Sequence, residues 1–149
     1  MTKANMPRCL VVLLSASLLI SALLGYKSYI MYKSIASFSD GLVALELGDY
    51  PTAERAFRAT VRTSPRWAPG YLHLGLSLIG RGRTEQALDS FRSAIQLQPD
   101  YARAYYHLAE ALDKQGRSEE ARSVWKLLAT MRDASYAERA RRRLLGKPD

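Results

Sequence analysis

The chain has 149 residues, of which 22 are Lys or Arg and 14 are Asp or Glu, so its formal charge is +8. This length accommodates one small folded domain, and a hydrophobic content of 48% excludes an intrinsically disordered chain. A single cysteine excludes an intrachain disulfide framework, and two histidines leave few ligands for a metal centre. The composition therefore disfavours a large multi-step enzyme.

The first predicted element is a membrane-spanning helix. A short basic tail at residues 1–8 precedes an uncharged run over residues 9–26. As a helix this run would rise roughly 27 Å, close to the roughly 30 Å hydrocarbon core of a bilayer. Arg8 lies before the run, and Lys27 and Lys33 follow it. We predict a transmembrane helix over residues 9–26 whose helical structure continues to about residue 33.

A cleaved secretory signal peptide is the alternative interpretation of this segment. The apolar region of a signal peptide usually spans about 7–15 residues and ends in a small-x-small site. The run is longer than that, and its exit at residues 21–26 offers no clean site of this kind. The positive charges before the run favour a cytoplasmic N-terminus. The sequence thus predicts a single-pass inner membrane protein of a bacterium whose remaining residues lie in the periplasm.

The rest of the chain repeats with a period of 34 residues. Three series of residues follow this period: Gly48, Gly82 and Gly116; Ala53, Ala87 and Ala121; and Phe57, Phe91 and Trp125. These residues resemble the tetratricopeptide repeat (TPR), in which an aromatic-x-x-Leu-Gly motif is followed by Ala-x-x-x-Phe and Pro. The second unit is the best match, with Tyr71, Leu74, Gly75 and Pro99 in addition to the shared positions.

The resemblance implies an all-α solenoid of three TPR repeats with a C-terminal capping helix. The repeats are placed at residues 34–67, 68–101 and 102–135, and each consists of two antiparallel helices, A and B. A capping helix and tail at residues 136–149 would cover the exposed end of the stack. The large residue of each B helix would fill the gap between units.

Local signals predict where several of these helices begin. Pro51 and Pro69 suit first-turn positions, and Asp100 suits the cap before the third A helix. Ser135 and Glu138 have the spacing of a capping box at the start of the last helix.

The sequence contains no recognisable catalytic motif. A P-loop, a nucleophile elbow, HExxH and CxxC are all absent, so we predict neither an enzyme nor a cofactor. His73 and His107 occupy the same position of adjacent repeats, which places them on one face of neighbouring A helices. They are interpreted either as a proton-sensitive or ligand-contacting pair or as ordinary groove-lining residues. Two histidines without a carboxylate or thiol partner make a poor metal site.

In the TPR family the A helices line a concave groove that binds partner proteins. The family's groove positions, transferred to this chain, give these candidates for partner binding: Phe38, Leu42, Leu72, His73, Leu76, Ile79, Tyr106, His107 and Glu110. Their largely apolar character predicts an apolar helix or extended segment as the ligand. This segment would come from another protein, from a second copy of the chain or from the chain's own residues 27–36. The alternative is that some of the leucines are core residues between helices. The clamp of Lys, Asn and Arg with which some family members bind a terminal carboxylate is absent.

A second candidate surface is basic. It consists of Arg139, Arg141, Arg142 and Arg143 in the last helix. It is interpreted as a solvated helix face, as a contact for anionic lipid or an acidic partner, or as a nucleic-acid surface. The nucleic-acid interpretation is disfavoured, because it calls for a denser basic stripe with interleaved aromatic residues.

Together these features predict a membrane-anchored TPR module for protein–protein interaction. It would contact the bilayer through residues 9–26 and act as a scaffold, assembly factor or accessory subunit of a bacterial envelope complex. The alternative with the same fold is a cytosol-facing, signal-anchored receptor for precursor proteins on an organelle outer membrane. The alternative of another class is a nucleic-acid binder that uses the basic surface.

Overall fold

A computed structural model describes the backbone of residues 8–146 and the side chains of residues 18–146. This part of the chain contains seven helices and no strand: α1 (Arg8–Glu46), α2 (Tyr50–Thr63), α3 (Ala68–Gly80), α4 (Thr84–Leu97), α5 (Ala102–Lys114), α6 (Ser118–Leu128) and α7 (Ala134–Leu144). The prediction of an all-helical solenoid is confirmed. The predicted basic tail lies outside the described residues except for Arg8.

Three equivalent turns reverse the chain between the helices of each pair. Gly48, Gly82 and Gly116 have φ values of 73°, 72° and 74°, a left-handed conformation that glycine adopts without steric cost. The predicted first-turn prolines are confirmed, because Pro51 and Pro69 lie at the starts of α2 and α3. A missing backbone N–H has no cost there, since the first turn of a helix leaves its N–H groups unpaired anyway.

The large residues of the B helices fill the space between paired helices. Phe57 and Phe91 are completely buried, and Trp125 is nearly so. A Cβ atom placed on Gly41 would lie 2.6 Å from the Phe57 ring, and one placed on Gly75 would clash with Phe91 in the same way. Helices A and B can therefore approach closely only because the A helix has no side chain at this point.

The A helices lie on the inner side of the stack. Consecutive helices pack against each other, and α1 also contacts α3, α3 contacts α5, and α5 contacts α7. In the described part of the chain, α2, α4 and α6 make no direct contact with one another. This asymmetry curves the solenoid and leaves α1, α3 and α5 lining its inner face, which we call the A-helix face.

Helix α1 is one uninterrupted helix of 39 residues, and the A helix of the first unit is its C-terminal part. The N-terminal part stands away from the stack and exposes large apolar side chains: Leu18, Leu19, Ile20, Leu23, Leu24, Tyr26, Tyr29, Met31 and Tyr32. Across the residues that the structure describes, no helix is both long enough and apolar enough to span a membrane. Residues 9–17 of the predicted span have side chains outside the described part.

Two predicted helix starts are wrong. The residue before α5 is Tyr101 rather than Asp100, and no side chain caps this helix. Helix α7 begins at Ala134, before the predicted residue 136, and Ser135 does not cap it. The Asp133 carboxylate accepts hydrogen bonds from the backbone N–H groups of Ser135 and Tyr136, at 3.1 and 3.3 Å. An acidic side chain two residues before Ser135 thus caps the helix and satisfies two backbone N–H groups of its first turn.

Candidate functional site

The A-helix face contains a cavity of about 230 Å³ between α3 and α5, which we call the groove cavity. Its lining consists of Leu76, Ile79, Phe91, His107, Glu110, Ala111 and Lys114. Four of these residues were predicted to bind a partner: Leu76, Ile79, His107 and Glu110. Phe91, Ala111 and Lys114 were not in that set.

Helical spacing gives the groove cavity one apolar and one polar wall. Leu76 and Ile79 are three residues apart on α3 and are both half-buried. His107 and Glu110 have the same spacing on α5, and Lys114 lies one turn further along the same face. The site can therefore hold an apolar side chain beside groups that bind a polar or charged neighbour.

The polar wall is organised around Glu110. The Tyr106 hydroxyl donates a hydrogen bond to its Oε1 at 3.2 Å, and His107 Nδ1 lies 3.4 Å from its Oε2. The hydrogen bond from His107 is the main cause that lowers the pKa of Glu110, and burial opposes this shift. Glu110 is therefore a carboxylate at neutral pH, and it can bind a donor group of a partner.

Two other predicted partner-binding residues belong to a separate aromatic cluster. The Phe38 ring lies edge-on to Trp67 and His73, with centroids 4.5 and 5.0 Å apart. Phe57 completes the cluster, 5.6 Å from Phe38 and 5.5 Å from His73. His73 is buried, and its Nδ1 lies 2.8 Å from the Pro69 carbonyl oxygen. This arrangement fixes α1 against α3 and leaves little of His73 for a ligand.

The remaining predicted partner-binding residues are core rather than open surface. Leu72 is completely buried and cannot touch a partner, and Tyr106 is buried beneath Tyr136 and Arg139 of α7. Leu42 is half-buried and packs against the core. The interpretation that some groove leucines are core residues therefore holds for Leu72, because neighbouring A helices cover this turn of α3.

The two histidines lie on adjacent A helices, and they are close enough for charge on His107 to influence His73. Within residues 18–146, no three His, Cys, Asp or Glu side chains are grouped closely enough to hold a metal ion. Burial lowers the pKa of His73 below its usual 6.5, and the nearby charges of Arg103 and His107 lower it further. The hydrogen bond to Pro69 acts in the opposite direction.

The lowered pKa of His73 predicts acid sensitivity of the fold. The unfolded chain binds a proton at this residue more readily than the folded chain, so the free energy of unfolding falls as pH drops below about 6.5. The loss continues until the pH reaches the folded-state pKa. Urea denaturation from about pH 7.5 to about pH 5.5 should show a steeper decline for the wild type than for His73→Gln, which cannot be protonated. Equal slopes would show that His73 is not the sensor.

Each of the four predicted basic residues is engaged within the domain. The Arg139 guanidinium lies over the rings of Tyr106 and Tyr136, 5.7 and 5.6 Å from their centroids. The other three bind as follows: Arg141 donates to the Ala129 carbonyl oxygen at 3.0 Å, Arg142 to Glu138 at 3.3 Å, and Arg143 to Asp113 at 3.4 Å. The contacts of Arg139 with Tyr106, Arg141 with Ala129 and Arg143 with Asp113 fix α7 to the end of the stack, where it covers α5 and α6.

One buried charge was missed by the sequence reasoning. The carboxylate of Glu54 on α2 is buried and pairs with Arg58, Arg81 and Arg83. Arg81 and Arg83 flank the turn glycine between α3 and α4, so this cluster joins the first unit to the second. The 34-residue period aligns Glu54 with Leu88, which is completely buried. That alignment was a signal that Glu54 would be buried too.

Comparison with known proteins agrees with this geometry. A sequence profile of the TPR repeat matches residues 75–116, and tetratricopeptide repeat profiles match residues 102–131 and 41–59. No curated protein is significantly similar to the chain.

Solved TPR domains share the fold at low sequence identity. The TPR2B domain of yeast Sti1, in complex with pHsp70, superposes with a TM-score of 0.72 at 20% identity, covering 76% of this chain and 94% of that one. The TPR domain of Arabidopsis OM64 gives 0.71 at 17%, covering 78% and 98%. The Yersinia enterocolitica type III secretion chaperone SycD, bound to a peptide of the translocator YopD, gives 0.69 at 22%, covering 74% and 88%. With its repeats, turn glycines and packing, the chain belongs to the tetratricopeptide repeat family.

Proposed function

We propose that this chain is a membrane-anchored TPR module whose A-helix face binds a segment of a partner protein. The observation that carries the proposal is the groove cavity, where half-buried Leu76 and Ile79 face the polar wall of α5. A cavity of this size accommodates one apolar side chain with room to spare. We infer that the segment inserts an apolar side chain there and places a donor group beside Glu110.

Related structures support a polypeptide as the ligand. SycD is described with a peptide of a translocator, and the second TPR domain of human RPAP3 with an HSP70 peptide. Repeat domains of this kind act by binding, so the proposed role is scaffold, assembly factor or accessory subunit rather than enzyme. The four basic residues of α7 already have partners in the domain, which argues against the nucleic-acid alternative.

The membrane anchor is the second part of the proposal. Over residues 18–26, α1 carries no charged side chain, and Leu18, Leu19, Ile20, Leu23 and Leu24 are more than half exposed. A helix that is hydrophobic all round needs an apolar environment, and a bilayer supplies one. We propose residues 9–26 as the anchor, with a cytoplasmic N-terminus and periplasmic repeats. A topology reporter fused to the C-terminus distinguishes this orientation from the cytosol-facing receptor.

Partner binding is tested by photo-crosslinking in native membranes. A photoreactive residue in place of Ile79 should give a discrete adduct with one partner protein, because its side chain lines the groove cavity. Leu127, half-exposed on α6, is the matched control position and should give no such adduct. Adding Leu76→Glu should abolish the Ile79 adduct, since it buries a charge in the apolar wall. An adduct that persists with Leu76→Glu, or that forms equally from position 127, overturns the proposed site.

Circular dichroism provides the folding control for this experiment. Leu76 is only half-buried, so the Leu76→Glu variant should keep the helical content of the wild type. A variant that loses its helices is replaced by Glu110→Gln, which removes the charge of the proposed acceptor without changing the apolar wall of the cavity. Glu110→Gln should weaken the adduct while leaving the helical content intact.

A further inference from the structure

A second and larger cavity lies where α1 leaves the repeat stack, and we call it the elbow cavity. Its volume is about 670 Å³, within the roughly 300–1,000 Å³ range of sites for small molecules. Met31, Ser34 and Ile35 of α1 form one side, and Ser64, Pro65, Arg66 and Trp67 of the α2–α3 connection form the other. The elbow cavity shares no lining residue with the groove cavity.

The position of the elbow cavity follows from the alternation of the helices. Consecutive helices run in opposite directions, so every connection from a B helix to the next A helix lies at the same end of the stack. The free part of α1 projects from that end, because it precedes the A helix of the first unit. The turns at Gly48, Gly82 and Gly116 lie at the opposite end. The elbow cavity therefore opens beside the exposed apolar part of α1.

Arg66 is the cation in the lining of this cavity, and two further cations lie close to the lining in sequence. Lys33 precedes Ser34 of the lining, and Arg62 lies in the last turn of α2. Among the described residues none of the three has an Asp or Glu within ion-pair distance, whereas Arg58, further back on α2, pairs with Glu54. The site thus combines a largely apolar lining with one cation, Arg66, that no carboxylate of the described residues neutralises.

The exposed aromatic residues nearby fit a membrane interface. Tyr29 and Tyr32 are more than half exposed on the part of α1 next to the cavity, and Trp67 is a half-buried lining residue. Tyr and Trp favour the region between lipid headgroups and acyl chains, because their rings are apolar and carry one polar group. Beyond Lys27 and Ser28, α1 exposes the apolar side chains of Leu24 and Leu23.

We propose that the elbow cavity binds the head of an anionic phospholipid, with the phosphate at Arg66, the glycerol against Ile35 and Trp67, and the acyl chains directed back along α1 toward the anchor. The proposal rests on the proposed membrane anchor, since only a bilayer beside α1 brings the lipid to this site. The position of the cavity beside the exposed apolar part of α1 favours a lipid over a protein segment. Arg66, which has no carboxylate partner among the described residues, favours an anionic headgroup.

The experiment uses the full chain in vesicles that contain brominated lipid, which quenches tryptophan fluorescence on contact. Trp67 lines the cavity, whereas Trp125 is buried in the third unit. The part of the fluorescence quenching that disappears in the Trp67→Phe variant therefore reports on the elbow cavity. Brominated phosphatidylglycerol diluted in phosphatidylcholine should quench Trp67 at a lower mole fraction than brominated phosphatidylcholine. One basic residue near an anionic surface corresponds to about a fivefold preference, so Arg66→Ala should raise the half-quenching mole fraction about fivefold.

Arg55→Ala is the matched control, because Arg55 is also exposed and lies in the first half of α2, toward the opposite end of the stack from Arg66. It should leave quenching unchanged. Equal quenching by both lipids, no quenching of Trp67, or no effect of Arg66→Ala overturns the proposal. A photoreactive residue at Ile35 that links two copies of the chain also overturns it and identifies a second copy as the occupant.

Vesicle flotation and the Ile79 adduct distinguish this inference from the proposed function. A chain that does not float with vesicles overturns both the anchor and the lipid site, and the Ile79 adduct still tests partner binding. A chain that floats and forms the adduct, but shows no preference for phosphatidylglycerol, overturns the lipid site alone.

Discussion

The Phe91→Ala variant should lose about 3–5 kcal/mol of the free energy of unfolding, the cost of removing a fully buried aromatic side chain. Phe91 is completely buried, and its ring fills the space above Gly75 that no other side chain can reach. The rigid backbones of α3 and α4 limit how far the resulting cavity can collapse. Urea denaturation of the full chain in mild detergent, followed by far-ultraviolet circular dichroism, measures the loss.

The matched control is Leu127→Ala in the following B helix. Leu127 is half-exposed, so its truncation should change the free energy of unfolding by no more than about 0.5 kcal/mol. Phe91→Leu keeps most of the apolar volume and should lose less than Phe91→Ala, which preserves the test if the alanine variant does not fold. Equal losses for Phe91→Ala and Leu127→Ala would contradict the role of Phe91 as the residue that joins α3 to α4.

The second large effect concerns the buried charge cluster. We expect Glu54→Gln to lower the free energy of unfolding by about 3 kcal/mol, because it leaves three arginines around a neutral group. This value is at the low end for breaking a buried ion pair, since Arg58, Arg81 and Arg83 all remain partly solvated. The same urea denaturation measures it.

The next turn of the solenoid supplies the control for Glu54. Glu85 contacts Gln115 at 3.0 Å and Arg117 at 3.4 Å, but its side chain is 68% exposed. Water screens this pair, so Glu85→Gln should lose no more than about 0.5 kcal/mol. Both glutamates join a B helix to the following A–B turn, and they differ chiefly in burial. Losses of similar size at the two positions would show that burial of Glu54 does not determine the strength of its cluster.

At the candidate site, the repeat sequence predicts which residues share a face of the solenoid, but it does not predict how deeply each side chain is buried. Position within the repeat assigned Leu76, Ile79, His107 and Glu110 to one face, and the structure brings these four residues together around one cavity. Repeat position did not determine how deeply each side chain is buried. Leu72 is completely buried, although it lies on the same helix as the half-buried Leu76. The burial of a side chain depends on how far the neighbouring helices cover its turn.

The predictions of where α5 and α7 begin were wrong for a different physical reason. Asp133 caps α7 in place of Ser135, although both residues have side chains that commonly cap helices. The choice between such neighbours depends on where the preceding loop places each carboxylate or hydroxyl relative to the free backbone N–H groups. Sequence spacing alone does not contain that information.

The 34-residue spacing by itself determined the helical hairpins, the turn glycines and the large residues that pack between helices, because each is a local consequence of residue size or backbone conformation. The tertiary structure alone decided which side chains remain open to a partner and which charges are buried. It also created the elbow cavity, whose two walls come from α1 and the α2–α3 connection. These features depend on contacts between segments that are distant in sequence, and so they appear only once the helices have packed.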